Sequence, residues 1–244
     1  MNEGHSHLPN ETLIRLFLNG KLFAHLLCTP VNLKELAVGW LLGQGIITGV
    51  GEIVSLGVCD EQTDLAVHLK SLPTSTPGGF EPVLSSGCSG GQINVLNYFK
   101  DLKVVESTLT AGVGECRRAL ALMFRRLNET CDGAGVHCAA AVSGGREDLV
   151  HFAYDIGRHN AVDKVIGAAL LKSVDFSQTI LATSGRISSD MVVKAALAGI
   201  PMLVSPRSVT TLATGLAEKA GIGIVGRLGK KEMVILGNTS RILG

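Results

Sequence analysis

The clearest nucleophile in the chain is a cysteine set among small residues, Gly87-Cys88-Ser89-Gly90-Gly91. Glycine tolerates positive φ and lets a second molecule come close to the backbone. A thiol in that setting reads as exposed, and nearby backbone donors favour the thiolate, the form that attacks. Taken alone, the segment also fits a plain loop with an incidental cysteine. A second cluster, Asp155-Ile-Gly-Arg-His-Asn-Ala-Val-Asp-Lys164, crowds polar side chains into what reads as a strand-to-helix junction. A helix start offers unpaired N–H groups to an anion. Arg158 and Lys164 suit phosphate, Arg158 with a two-pronged contact. The plainer alternative is that Asp155 and Asn160 only cap the helix. Thr183-Ser-Gly-Arg-Ile-Ser-Ser-Asp190 repeats the arrangement: Ser184, Gly185 and Arg186 form a donor-rich cradle, and Ser188 or Ser189 can cap the helix behind it. Ser205-Pro-Arg-Ser-Val-Thr-Thr211 repeats it again. These junctions predict one rim holding a phosphate-bearing ligand.

Other chemistries lack their residues. There is no G-x-x-x-x-G-K-[ST] loop and no G-x-G-x-x-G fingerprint. The zinc-deaminase pattern is missing, and so is a G-x-S-x-G elbow. His137 and Cys138 are adjacent, so on a strand they point apart; His137 reads as a core histidine. The remaining cysteines, Cys28, Cys59, Cys116, Cys131 and Cys138, stand singly with no C-x-x-C pair, which fits neither a disulfide framework nor a zinc knuckle.

These residues need a scaffold. Two apolar runs, Leu13–Leu18 and Leu22–Leu27, flank Asn19-Gly20 and predict a hairpin. A helix is expected from Leu33 to about Gln44 with Asn32 as its N-cap, then strands near 53–59 and 65–69. Ser71 to Gly79, rich in Ser, Thr, Pro and Gly, reads as a loop or linker. Beyond about residue 109, strands and helices alternate, which predicts a mostly parallel sheet covered by helices. The expected fold is α/β (α+β overall): a smaller strand-rich part, residues 1–108, with one helix and the cysteine loop, and a three-layer α/β/α part, residues 109–244.

Composition bounds the partners. With 22 basic against 21 acidic residues the net charge is +1, so no global field draws in nucleic acid or an anionic membrane. Aromatics are 4%, too few for a base-stacking platform. Hydrophobic residues reach 46% and mean hydropathy is +0.34. Charges such as Lys164, Lys172, Asp190 and Lys194 break every apolar run short of the roughly 18 residues a spanning helix needs. The reading is a cytoplasmic protein with no membrane span and no nucleic-acid role.

At these residues the chain resembles the FdhD-type formate dehydrogenase accessory proteins. The likeness runs from about Glu11 to about Leu236. It rests on Cys28-Thr-Pro, Glu35-Leu-Ala-Val-Gly-Trp-Leu-Leu-Gly-Gln-Gly-Ile-Ile47, Gly135-Val-His, Gly157-Arg-His-Asn-Ala-Val-Asp-Lys164, Ser184-Gly-Arg186 and Lys194-Ala-x-x-Ala-Gly-Ile-Pro201. The resemblance implies a sulfurtransferase that takes sulfur from a cysteine desulfurase as a persulfide. It would pass that sulfur to the molybdenum cofactor, in its bis-guanine-dinucleotide form, for formate dehydrogenase. It further implies a homodimer and a C-terminal part like the cytidine-deaminase fold without zinc. No tightly bound cofactor is expected, only the transient Mo-bis(molybdopterin guanine dinucleotide). The sulfur-bearing cysteine maps to Cys88. Where the family often has C-G-x-C-G, Ser89, Gly90 and Gly91 follow here, so the second thiol is missing. The family's guanine-dinucleotide segment maps to Arg227, Leu228, Gly229, Lys230, Lys231 and Glu232, where the usual Gly-Phe-x-Arg is replaced. Tyr154 stands where an acid is usual. With the junction residues Arg158, His159, Asn160, Lys164, Ser184, Gly185, Arg186, Ser205 and Thr210, these form the candidate cofactor site; no metal ligand is expected. The competing readings are a cofactor-binding chaperone in which Cys88 has no role, and a metal-free nucleotide-binding or hydrolytic α/β protein.

Overall fold

The computed structural model describes residues 9–59, 61, 63–72, 102–131, 135–144 and 149–244. The chain opens with the expected hairpin: β1 (Thr12–Leu18) and β2 (Lys21–Cys28) pair antiparallel. Asn19 (φ 48°) and Gly20 (φ 79°) turn it, both in the left-handed region that tight hairpins require. With β3 (Ile53–Val58) and β4 (Asp64–Leu69) it forms a sheet of order β2-β1-β4-β3. Alternate residues Ile14, Leu16 and Leu18 of β1 and Leu65, Val67 and Leu69 of β4 are buried, the two-residue period of a one-sided sheet.

Between β2 and β3, helix α1 (Leu33–Gly43) starts where expected but not as expected. Asn32 has φ 54° and its side chain makes no capping bond, because an N-cap needs extended backbone to aim its oxygen at the helix N–H groups. Its carbonyl still accepts from Leu36 N–H at 2.9 Å.

The larger sheet has the order β11-β10-β9-β8-β6-β7, built from β6 (His137–Ser143), β7 (Leu149–Asp155), β8 (Thr179–Thr183), β9 (Met202–Val204), β10 (Gly223–Gly226) and β11 (Val234–Gly237). It is mixed rather than mostly parallel: only the β8–β9 and β9–β10 pairs run parallel. The link from β6 to β7 is too short for a crossover, so those strands pair antiparallel. β8 then lies antiparallel on the other side of β6.

Helices cover both faces. α2 (Val113–Thr130) buries Cys116, Ala119, Leu120, Met123 and Leu127 at helical spacing. These pack with Cys138, Ala140 and Val142 of β6. Ala139 and Ala141 of β6 point to the other face, where α3 (Arg158–Leu171), α4 (Ser189–Ala198) and α5 (Thr211–Ala220) lie. The result is three layers. A short pair, β5 (Ala111–Gly112) with β12 (Ile242–Leu243), closes the chain's end. Among the described residues no helix is long and apolar enough to cross a membrane.

The strand-rich and α/β parts share one core, in which Leu16, Leu36, Leu41 and Val67 cluster with Val162, Ile166, Val193 and Leu216. Their contact is backbone on backbone. A Cβ on Gly39 of α1 would sit 1.8 Å from Asp163 O, and one on Gly167 of α3 would sit 1.9 Å from Glu35 O. Only glycine allows the helices this close.

Gly167→Ala should therefore force α1 and α3 apart and cost at least about 1–3 kcal/mol of stability, as overpacking does. Urea unfolding of the variant beside the parent chain measures it; equal midpoints would mean that the helices do not meet there.

Candidate functional site

The junction between β7 and α3 holds a buried polar knot. Asp155 and Lys164, both 0% exposed, pair at 2.6 Å through Oδ2 and Nζ. Lys164 Nζ also donates to Thr29 O (2.8 Å) and Tyr154 O (3.3 Å), which occupies all three of its donors. Asp155 Oδ2 accepts from Thr29 N–H (3.1 Å), and its Oδ1 accepts from Gly157 N–H (2.8 Å) and Asn160 Nδ2 (3.0 Å). Asn160 Nδ2 also donates to Leu27 O at 2.7 Å, and Ile156 N–H donates to Thr29 Oγ1 at 3.1 Å. The end of β2 is thus tied to the start of α3. A second buried pair, Lys194 with Asp163, joins α4 to α3. Beside it His159, 2% exposed, lies 3.4 Å by Nε2 from Asp190 Oδ2.

The structure therefore gives the residues of this segment different places. His159, Asn160 and Lys164, expected at the ligand, lie in the interior: Asn160 and Lys164 are hydrogen-bonded to protein neighbours, and His159 faces Asp190. Arg158, the first residue of α3, instead reaches a cleft of about 670 Å³. Its stem crosses Gly185, where a Cβ would meet Arg158 Cβ and Cδ at 2.9 Å.

That cleft is lined by His137, Arg158, Ser184, Gly185, Arg186, Pro206, Arg207, Ser208, Arg227 and Lys230. The topology explains the gathering. β7, β8, β9 and β10 all end at the same side of the sheet, and β6, running the other way, begins there. Loops at strand ends on one side of an α/β sheet are where ligands bind. Ser205 supports the rim from beneath: it is buried, its Oγ donates to Gly185 O (2.5 Å) and accepts from Arg207 N–H (3.0 Å). Thr210 caps α5 by accepting from Ala213 N–H (3.3 Å). Neither lines the cleft.

The 227–232 segment divides in the same way. Arg227 and Lys230 line the cleft, Leu228 is buried in the core, and Lys231 and Glu232 are exposed beyond the lining. Arg227 adopts φ 53°, an unusual conformation for a side-chain-bearing residue. Its N–H donates to Arg207 O (2.8 Å), and its guanidinium pairs with Glu232 at 2.7 Å. Among the described residues no carboxylate lines the cleft, and five cationic side chains face a common space.

His137, taken from the sequence as a core residue, is half-buried and lines this cleft. Burial first, then Arg158 and Arg207, hold its imidazole below the usual value, so it is neutral at pH 7. Arg207 and Ser208 lay inside a segment singled out as a unit, but their side chains were not singled out. The signal for His137 was its position as the first residue of its strand, just after Gly135, where a strand meets solvent.

Cys88 lies outside the described residues. Among the described cysteines, burial pushes Cys28 up to about 12 and Cys116 and Cys138 up to about 11. These thiols stay protonated at neutral pH and are small core residues. Cys59 is exposed, and hydrogen bonds from Thr63 and from Asp64 N–H hold its thiol below the ordinary value.

Comparison with known proteins adds the context. The FdhD/NarQ family model matches residues 9–243. A sulfur carrier protein FdhD from Geobacillus kaustophilus is 30% identical over 243 residues, covering 99% of this chain and 92% of that one. One from Staphylococcus aureus (strain MRSA252) is 31% identical over 238 residues, covering 96% and 88%. One from Methanothermobacter thermautotrophicus is 29% identical over 234 residues, covering 96% and 90%. The crystal structure of a protein assigned as a formate dehydrogenase accessory protein, from Desulfotalea psychrophila, superimposes with a TM-score of 0.75 at 26% identity, covering 96% of this chain and 90% of that one.

The knot makes a specific prediction. Lys164→Met leaves Asp155 buried without its cation and should cost about 3–5 kcal/mol. Adding Asp155→Asn should recover part of it. Thermal unfolding of the single and double variants checks this; a fully stable Lys164→Met would show that the pair is not a structural tie.

Proposed function

The chain belongs to the FdhD/NarQ family, and from that premise we propose that it is a sulfur carrier for the maturation of formate dehydrogenase. The observation that carries the reading is the cationic cleft. Arg158, Arg186, Arg207, Arg227 and Lys230 converge at one end of the sheet, with no carboxylate in the lining among the described residues. Guanidinium forks match phosphate oxygens two at a time. A volume of about 670 Å³ lies in the range of small-molecule sites. The cargo on this reading is the phosphate-bearing molybdenum cofactor in its bis-guanine-dinucleotide form, bound as a substrate and released.

The carrier thiol is Cys88. Its thiolate attacks the outer sulfur of a persulfide on a cysteine desulfurase. The donor's S–S bond breaks, the donor leaves as a thiolate, and Cys88 keeps the sulfur as its own persulfide. The arginines of the cleft hold the cofactor's phosphates and Ser208 supplies a neutral donor. The Cys88 S–S bond then breaks, Cys88 leaves as a thiolate, and the outer sulfur goes to the held cofactor, whose reduced metal would supply the two electrons that make it sulfide. The protein works in the cytoplasm as a homodimer, and its three-layer part is a zinc-free relative of the cytidine-deaminase fold. Family membership and the sulfur-carrier names of its relatives support the sulfur role. The protonated state of the three buried thiols supports placing that role outside the core.

Intact mass after incubation with a cysteine desulfurase and cysteine tests this. The parent chain and Cys59→Ala should each gain one sulfur atom, reversibly with reductant, and Cys88→Ala should gain none. Loss in Cys59→Ala with retention in Cys88→Ala would move the carrier role to Cys59. No gain in the parent chain would favour a cofactor chaperone that needs no thiol.

A further inference from the structure

One lining residue of the cleft differs in kind from the rest. Among the described lining residues His137 is the one ionisable side chain that is neutral at pH 7, and its ring is held by a defined partner. Ser184 Oγ accepts from Cys138 N–H at 2.9 Å and lies 3.3 Å from His137 Nδ1. With one lone pair taken by the backbone, the hydroxyl keeps a hydrogen to give and a second lone pair, so it can donate to a bare Nδ1 or accept from Nδ1–H. The first arrangement puts the proton of the neutral imidazole on Nε2 and is the one the proposal takes. Ser184 is itself fixed, because its N–H donates to Cys138 O at 2.9 Å.

We propose that His137, oriented by Ser184, is a ligand-positioning residue whose Nε2–H donates to an oxygen of a bound phosphate between Arg158 and Arg207. This rests on the reading of the cleft as a phosphate site and adds to it the group that sets where the phosphate sits. Arginine forks each grip two phosphate oxygens; a neutral donor whose direction is set by Ser184 fixes a further oxygen. The groups that act on His137 are Arg158 and His159 from α3, Arg207 from the loop after β9, and Asp155 at the end of β7. The arginines and His159 oppose a second proton on the ring, and Asp155 favours one. A bound polyanion offsets the arginines, so the ring gains proton affinity on binding. Since its pKa is raised in the complex, binding strengthens as pH falls through that value.

Inorganic pyrophosphate is the probe, titrated by calorimetry into the full chain. His137→Phe should weaken its binding about tenfold or more, the loss expected for a hydrogen bond to a charged group. His137→Gln, which keeps an N–H donor, should recover part of that affinity. The protonation of pyrophosphate is common to all variants. The affinity ratio of parent to His137→Gln should therefore rise from about pH 8 to about pH 6. Long-range ¹H–¹⁵N spectra of the free protein should show Nε2 protonated and Nδ1 bare at His137, and Ser184→Ala should mix the two forms. Binding by the parent chain that is matched within twofold by both His137 variants would overturn this role and leave the phosphate site standing. Failure of the parent chain to bind pyrophosphate would overturn the phosphate site and this role together.

Discussion

The structure depends on a buried ion pair. Asp155 and Lys164 are withdrawn from water altogether, an arrangement that is costly unless each charge is matched and hydrogen-bonded. Here both are: Thr29, Gly157 and Asn160 complete the shell of Asp155, and the carbonyls of Thr29 and Tyr154 complete that of Lys164. The interaction spans the chain. Thr29 follows the first hairpin, and Lys164 lies within α3 of the α/β part. The pair therefore settles how the strand-rich part sits on the large sheet, and the Gly39–Gly167 approach lets the helices close around it.

Function follows from where that knot leaves the start of α3. With Asp155 and Lys164 turned inward, Arg158 projects from the first helical position over Gly185 into the cleft. A single short motif thus supplies both a structural tie and a cation that lines the cleft. The other cations come from loops after β8, β9 and β10, which meet because their strands end at one side of the sheet. Ser205 links two of those loops from below, and Arg207 O accepts from Arg227 N–H to link a third. The loops of the cleft are tied to one another by backbone and by Ser205.

Much of this was legible in the sequence. The Asn19-Gly20 hairpin, the helices and the strand positions follow from local pattern. The three junctions do contribute to one rim. Strand direction was not legible, because an apolar run such as Cys138–Val142 looks the same in a parallel or an antiparallel sheet. Nor was the split within residues 155–164. Lys164 and Arg158 are both cations in one polar string, and only the partner from residue 29, far off in sequence, tells which is buried. His137 was misread because its neighbours on β6 are core residues, while its own place at the strand's start brings it to the cleft. The thiol segment around Cys88, legible as chemistry, lies outside the described residues.

The central claim is that one protein holds sulfur on a thiol and cargo in a cationic cleft, as separable tasks. Single-turnover transfer of ³⁵S from the preloaded protein to immature formate dehydrogenase tests it most directly, comparing the parent chain with an Arg186→Ala/Arg207→Ala variant. The account predicts that the variant loads sulfur to the same extent and delivers it at least about tenfold more slowly, as loss of charge-assisted contacts implies. Delivery by the variant at the parent rate would contradict it.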